Sequence, residues 1–358
     1  MRWQTMISVL ILVAISGSFL LPAGPAAAQG NQNTCQQFIR RVINELGTSC
    51  ARLDSNSICY GYDDAEALPI EGITWPVGAF DAPGDRLPVT EVASVKTSEL
   101  DLDGRTWGFS VIKIDAFTGL NEQTGEPETA ELLYILPGGV ELEAATLPEY
   151  DANGDLILDD EHWAPMQKAY LRNLFDAPEC SEAIPPFLFV QSEPDEVIDL
   201  TINDALIRLE GTILLEVLPN FDRTFGDRLR LTTIYGMATV NPDSPNETLV
   251  PPGFFVEICL DEEEDLGLDR QENDQPVGDC DWTAPQPLSQ DDLNRMPSLN
   301  LLPRNIMFYN IVIPRIVVAS GIGGPSNRFF FVNPAALRLA REACDAGLIP
   351  ESICTFLF

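Results

Sequence analysis

The sequence predicts a mostly β protein: two small β domains of sandwich, barrel or β-stack type, stapled by disulfides, with short helices at the N- and C-terminal ends. Three observations predict it. From about residue 66 onward, short apolar runs alternate at a period of two and are cut by Pro, Gly and Asp. All eight cysteines (Cys35, Cys50, Cys59, Cys180, Cys259, Cys280, Cys344 and Cys354) follow an apolar N-terminal leader. That is the arrangement of an exported disulfide framework. Clear helical periodicity is found only near the two ends of the chain.

Residues 1–28 read as a cleavable secretory signal. Arg2 supplies the basic start and Met6 to Leu21 the apolar run. Pro22 and Pro25 break that run, and Ala26-Ala27-Ala28 offers small residues before Gln29. The run is shorter than the roughly 20 residues a spanning helix needs. A secreted, periplasmic or cell-surface location is therefore expected, with cleavage near Ala28–Gln29. No later segment reads as a transmembrane helix, so the mature chain is expected to be soluble.

Residues 29–63 form a helical, cysteine-containing N-terminal segment. Thr34 is its expected N-cap, and Cys35, Phe38, Ile39, Val42, Ile43 and Leu46 repeat on one face. Gly47 is the expected stop, with Cys50 and Cys59 just beyond.

Residues 64–148 are read as the first β domain. Trp107 to Val111 alternates, and Ile112-Lys113-Ile114 continues it. Leu132–Leu136 and Val140–Ala144 read as two strands joined by a tight turn at Pro137-Gly138-Gly139. An acidic connector, 149–178, follows.

Residues 179–260 are the second β domain. Phe187–Val190 is a short buried strand. Ile198, Leu200 and Ile202 alternate up to Asn203-Asp204, a pair suited to a turn. Ile207 and Leu209 lead to Gly211, and Ile213, Leu215 and Val217 run on to Pro219. Leu229, Leu231, Thr233 and Tyr235 alternate before Gly236, Met237–Val240 returns, and Gly253–Leu260 closes the unit.

An acidic loop or linker spans 261–300, with Asp261 to Asp281 set between Cys259 and Cys280. In the C-terminal part, 301–358, Ile306–Val318 and Phe329–Val332 read as strands. Asn333-Pro334 then starts a helix reaching Ala346, with Gly347 as its stop. Local spacing favours the pairs Cys259–Cys280 and Cys344–Cys354, leaving the other four cysteines to pair among themselves.

The run Ile198 to Leu215, then Leu229 to Val240 with its Gly236-Met-Ala238-Thr-Val240 step, then Pro252-Gly253, resembles the β repeat of FecR-type periplasmic domains over about 187–260. Flanking pieces resemble uncharacterised exported bacterial proteins. These are Cys50 to Tyr62, Thr106-Trp107-Gly108, Leu266 to Asp269 with Asn273-Asp274, and Trp282 with Pro285. The resemblance implies a β architecture with a binding or sensing role, not a chemistry. FecR proteins signal through an inner-membrane helix, for which the sequence after the leader has no counterpart.

The formal net charge of −34 turns the chain away from nucleic acid and anionic membranes. Removing the leader takes away Arg2 alone. Cations, basic proteins and neutral glycans remain compatible partners. Asp151-Ala-Asn153-Gly-Asp155 with Asp159 places oxygen ligands at positions 1, 3, 5 and 9 of a Ca²⁺-type loop, because a hard cation collects many oxygens. Against it, Gly154 stands at position 4 and His162 at position 12. An ordinary Asx/Gly turn explains the same residues, so structural Ca²⁺ is the one cofactor to test.

His162 is the sole histidine, and a G-x-S-x-G elbow is absent. Trp75, Trp107 and Trp163 are candidates for stacking on sugars, or for the core. The expected function is a non-enzymatic exported module that binds, senses or builds a surface, its ligand an unknown protein or glycan. The alternative is a secreted glycosidase-like hydrolase using paired carboxylates, one of them with a raised pKa.

Overall fold

The computed structural model describes residues 26–154, 156–159, 162–174, 180, 183–219, 227–260 and 281–311. Residues 1–25 of the expected leader, the loop 261–280 and the expected elements beyond 311 lie outside the described residues; the last three leader residues, Ala26 to Ala28, are described as the start of a helix. The protein is mostly β. Helix α1 (Ala26–Ser49) is followed by β1 (Ser57–Tyr62), β2 (Ala65–Pro69), β3 (Arg86–Pro88), β4 (Val92–Thr97), β5 (Phe109–Leu120), β6 (Pro127–Pro137) and β7 (Val140–Ala144). Then come β8 (Lys168–Asn173), β9 (Leu188–Ser192), β10 (Ile198–Ile202), β11 (Ala205–Leu218), β12 (Arg228–Val240), β13 (Thr248–Val250), β14 (Phe254–Cys259) and β15 (Gln286–Pro287). A short helix α2 (Gln290–Arg295) and a 3-10 turn, Met296–Leu301, close the described chain.

All the strands join one hydrogen-bonded sheet, mixed because β8 and β10 run parallel. Its longest path runs β2-β4-β7-β8-β10-β11-β9-β6-β5-β1-β3. Strands from 64–148 and from 179–260 thus share the sheet, through the pairing of β6 with β9. The two ends of this path are covalent neighbours of each other: β1 leads into β2, and β3 leads into β4. The sheet therefore curls until its ends meet at this corner, where the Ser98 amide donates to the Asp64 carbonyl and the Val89 amide to that of Asn56.

Alternation assigns the two faces. Ile112, Ile114, Leu132, Tyr134, Leu200, Ile207, Leu215 and Leu231 point into the enclosed core. Their neighbours Val111, Leu133, Ile135, Phe189 and Leu214 point outward into a second cluster, covered by α1 and by residues 288–302. Two buried polar side chains tie the interior together. Gln167 donates to the carbonyls of Phe117 and Asp199 and accepts from the amides of Phe117 and Ala164, bridging β5 and β10. The Tyr134 hydroxyl donates to the Met166 carbonyl, and full burial pushes its pKa up.

Several elements depart from the sequence expectation. Helix α1 presents Cys35, Phe38, Ile39, Val42, Ile43 and Leu46 to the core as expected. It begins before Thr34 and runs past Gly47. Gly47 serves close packing instead of stopping the helix: a Cβ there would press on Pro303, and its carbonyl accepts from Asn305 Nδ2 at 2.6 Å.

β6 and β7 exist, but they do not pair with each other. β6 lies between β5 and β9, and β7 between β4 and β8. The reason is local. Gly138 packs its backbone against Trp107 and the Ser98 carbonyl, and the Gly139 amide donates to Thr97 O, so the chain turns a corner between branches.

Tyr235-Gly236-Met237 is not a return either. β12 is one strand, and Gly236 faces Gly211 across a bulge that bends the pair. Both glycines have positive φ, and a Cβ on either would strike the opposing backbone. The connector 149–178 contains β8, the linker 261–300 contains α2, and residues 306–311 are irregular rather than a strand.

Candidate functional site

Of the residues expected to gather Ca²⁺, Asp151 and Asn153 lie together. The Asn153 amide donates to Asp151 Oδ1 at 2.8 Å, and its Nδ2 donates to Oδ2 at 3.0 Å, an Asx turn. Asp155 lies outside the described residues. Asp159 is drawn to the histidine: its Oδ1 accepts from the His162 backbone amide and stands 2.8 Å from Nδ1. His162 Nε2 faces Glu149 at 3.3 Å. The sole histidine is thus held between two carboxylates and orders the loop, which an isolated Tyr150–Leu156 bridge pins.

Every cysteine among the described residues is in a disulfide. Cys35 pairs with Cys180, tying α1 to the loop before β9, and Cys50 pairs with Cys59, tying the end of α1 to β1. Cys259 is also disulfide-bonded, and its partner lies outside the described residues, as do Cys280, Cys344 and Cys354. The tryptophans divide. Trp107 is core, 1 % exposed and edge-on to Phe109 at 4.6 Å. Trp75 and Trp163 are half-buried: Trp75 donates to Glu91 Oε2, and Lys168 sits 4.5 Å above the Trp163 ring.

A cluster that sequence reading missed lies on the outer face, where α2 meets the sheet. Register places Glu216 of β11 across from Arg230 of β12, and Arg230 across from Glu257 of β14. Arg230 contacts Glu257 at 2.6 Å and Asp292 of α2 at 3.2 Å, and its guanidinium stacks 4.3 Å over Phe255. Arg228 adds a 2.7 Å contact to Glu257, and Arg295 a 3.0 Å contact to Asp292.

Asp292 is doubly used, because Ser289 caps α2 through a reciprocal pair of hydrogen bonds with it. Burial works to raise the Asp292 pKa, but the Ser289 hydrogen bonds and the two arginines outweigh it and hold the carboxyl below its ordinary range. Glu216 goes the other way: burial pushes it up, Arg295 and Arg230 oppose, and Asp292 and Glu257 reinforce. The sequence signal for α2 was Ser289-Gln-Asp-Asp292, a capping box with Asp in place of Glu. Nothing local announced that Glu216, Glu257 and Asp292 would meet.

Beside the cluster the C-terminal segment docks on the sheet. The amide of fully buried Gln191 accepts from the Phe308 amide and donates to the Tyr309 carbonyl, and Tyr309 shares a 3.0 Å hydroxyl contact with Thr212. The Tyr309 ring lies 4.9 Å from that of Tyr235. Burial raises the Tyr309 pKa, although the Thr212 and Gln191 hydrogen bonds oppose it. Among the described residues no helix is long and apolar enough to cross a membrane. Comparison with protein-family models, with curated proteins and with solved structures finds no match.

Proposed function

We propose that this chain is an exported, disulfide-braced β scaffold that binds, senses or builds a surface, with a protein or glycan as its ligand. The observation that carries it is the bracing. Every described cysteine is in a disulfide, and one bridge spans 145 residues to fasten α1 over the outer face. Such investment belongs to an oxidising compartment and favours a fixed surface. Trp75 and Trp163 are half-buried, with one face of Trp163 taken by Lys168 and Trp75 packed against the core, so only their remaining exposed ring area is available to a sugar; the acidic balance favours a basic or neutral ligand. The FecR-like run and a structural Ca²⁺ at Asp151, Asn153, Asp155 and Asp159 belong to the same proposal.

The test combines cell fractionation under thiol-trapping conditions with binding of the purified mature chain to glycan and basic-protein panels, with and without Ca²⁺. Oxidised protein in the exported fraction and saturable binding are expected. Reduced cytoplasmic protein, or turnover of a substrate, would overturn the proposal. One observation favours the hydrolase alternative: three acids meet, and one is held at raised pKa. Glu257 and Asp292 are already gripped by arginines, which weakens it. Glycan hydrolysis lost in Glu257→Gln would establish it.

A further inference from the structure

Glu216 differs from the other acids of the cluster. It is 7 % exposed, and among the described residues it makes no hydrogen bond and no ion pair. Its cross-strand neighbour Arg230 would be the natural partner, yet that guanidinium is turned to Glu257 and Asp292. A carboxylate with little access to water and no donor is costly in its charged form, so burial makes such a group hold its proton more tightly. The charged groups facing it are Arg228 and Arg230 on β12, Glu257 on β14, and Asp292 and Arg295 on α2. Arg228 and Arg295 have side chains 45 % and 47 % exposed, so solvent screens their charge. Arg230, its side chain 17 % exposed, is the least exposed of the three arginines, and three acids stand around it.

The Arg230–Asp292 contact joins the sheet to α2. Around it Leu288, Leu293, Met296, Leu299 and Leu302 lie in the outer apolar cluster. We propose that Glu216 is the proton-binding element of a latch. Protonated, it leaves Arg230 to grip Asp292 and fasten residues 288–311 on the sheet; ionised, it competes for Arg230 and loosens that segment. This goes beyond the proposed function and holds whichever ligand the scaffold takes.

The sign follows from burial. Docking holds the proton on Glu216 more tightly than the unfolded chain does, where the ordinary value is 4.5. The stabilisation is therefore fully present below that value and is lost as pH rises through the docked-state pKa. With a single histidine in the chain, few other groups titrate above the ordinary carboxylate range and below about pH 8.

The experiment is amide hydrogen exchange of residues 288–302 in the whole mature chain from about pH 5 to 9, corrected for intrinsic exchange. For the wild type, the closed-to-open ratio is expected to fall by up to about tenfold per pH unit in part of that range, the limit for one proton released. Glu216→Gln, which mimics the protonated acid, is expected to flatten the profile. A flat wild-type profile, or identical profiles for both proteins, overturns the latch. Should the variant fail to fold, infrared difference spectra of the wild type in heavy water decide. A protonated-carboxyl band persisting above about pH 6, where ordinary carboxylates are ionised, supports the latch, and its absence overturns it.

Discussion

Removing the Cys35–Cys180 bridge by a double substitution to Ala is expected to destabilise the protein more than removing Cys50–Cys59 in the same way. The chain-entropy argument sets the scale, since a cross-link restricts the unfolded chain by an amount that grows with the logarithm of the loop it closes. The two sequence separations are 145 and 9 residues. They correspond to about 5 kcal/mol and about 2.6 kcal/mol at room temperature, a difference of roughly 2.4 kcal/mol. Against a typical total stability of about 5–15 kcal/mol, the longer bridge alone would be a large share. Denaturant unfolding under non-reducing conditions, followed by far-ultraviolet circular dichroism, measures both variants, after mass spectrometry confirms that the other bridges are intact. Hydrogen exchange in α1 adds a second readout, because the helix could lift from the sheet before the sheet unfolds. Equal losses, or a larger loss for Cys50–Cys59, would refute the entropy account. Packing of the α1 end against β1 would then be the controlling interaction.

Three further outcomes are expected. Gln167→Leu leaves the Phe117 amide and carbonyl, the Asp199 carbonyl and the Ala164 amide without their buried partner. At about 1–3 kcal/mol for each unsatisfied group, a loss of more than 3 kcal/mol is expected in thermal or denaturant unfolding. Gly236→Ala, at φ 74° and facing the Glu210 carbonyl, is expected to cost about 2 kcal/mol or more and to lower the yield of folded protein, while Ala at exposed Gly125 is expected to cost less. Asp292→Asn tests the acid side of the latch. The Asp292 pKa is lowered in the folded chain, so its stabilisation is present above the ordinary value of 3.8 and disappears as pH falls through the folded-state value. Hydrogen exchange of 288–302 in wild type should therefore rise at acid pH as well, and the variant should lose that acid limb.

What the sequence disclosed and what it withheld divide along one physical line. Period-two alternation reports on a strand's own two faces. That is why Ile198-Leu200-Ile202 and the turn at Asn203-Asp204, with φ of 50° and 61°, were legible. The apolar face of α1 was legible for the same reason, being a property of one helix. Pairing is a property of two segments, and alternation is silent about it. Pro137-Gly138-Gly139 carries the composition of a hairpin turn, yet Gly138 was selected to lie against Trp107, 31 residues earlier in the chain. β8 was hidden because Lys168, Tyr170 and Arg172 face outward, and only Ala169 and Leu171 remain as its inward signal.

The acid cluster marks the limit of such reading. Each member has an ordinary local context: Glu216 within an apolar run, Arg230 in an alternating strand, Asp292 in a helix cap. Only the register of β11, β12 and β14 sets them side by side, and only the docking of α2 buries them. A single polar residue at a position where its neighbours Leu214 and Leu218 are apolar is the one trace the sequence carries. At position 216 that trace meant a buried acid, because the outer face of this sheet is covered by a second layer. The outer face of β11 is the base of another layer, and the difference between a surface glutamate and a proton-holding one lies in what packs on top of it.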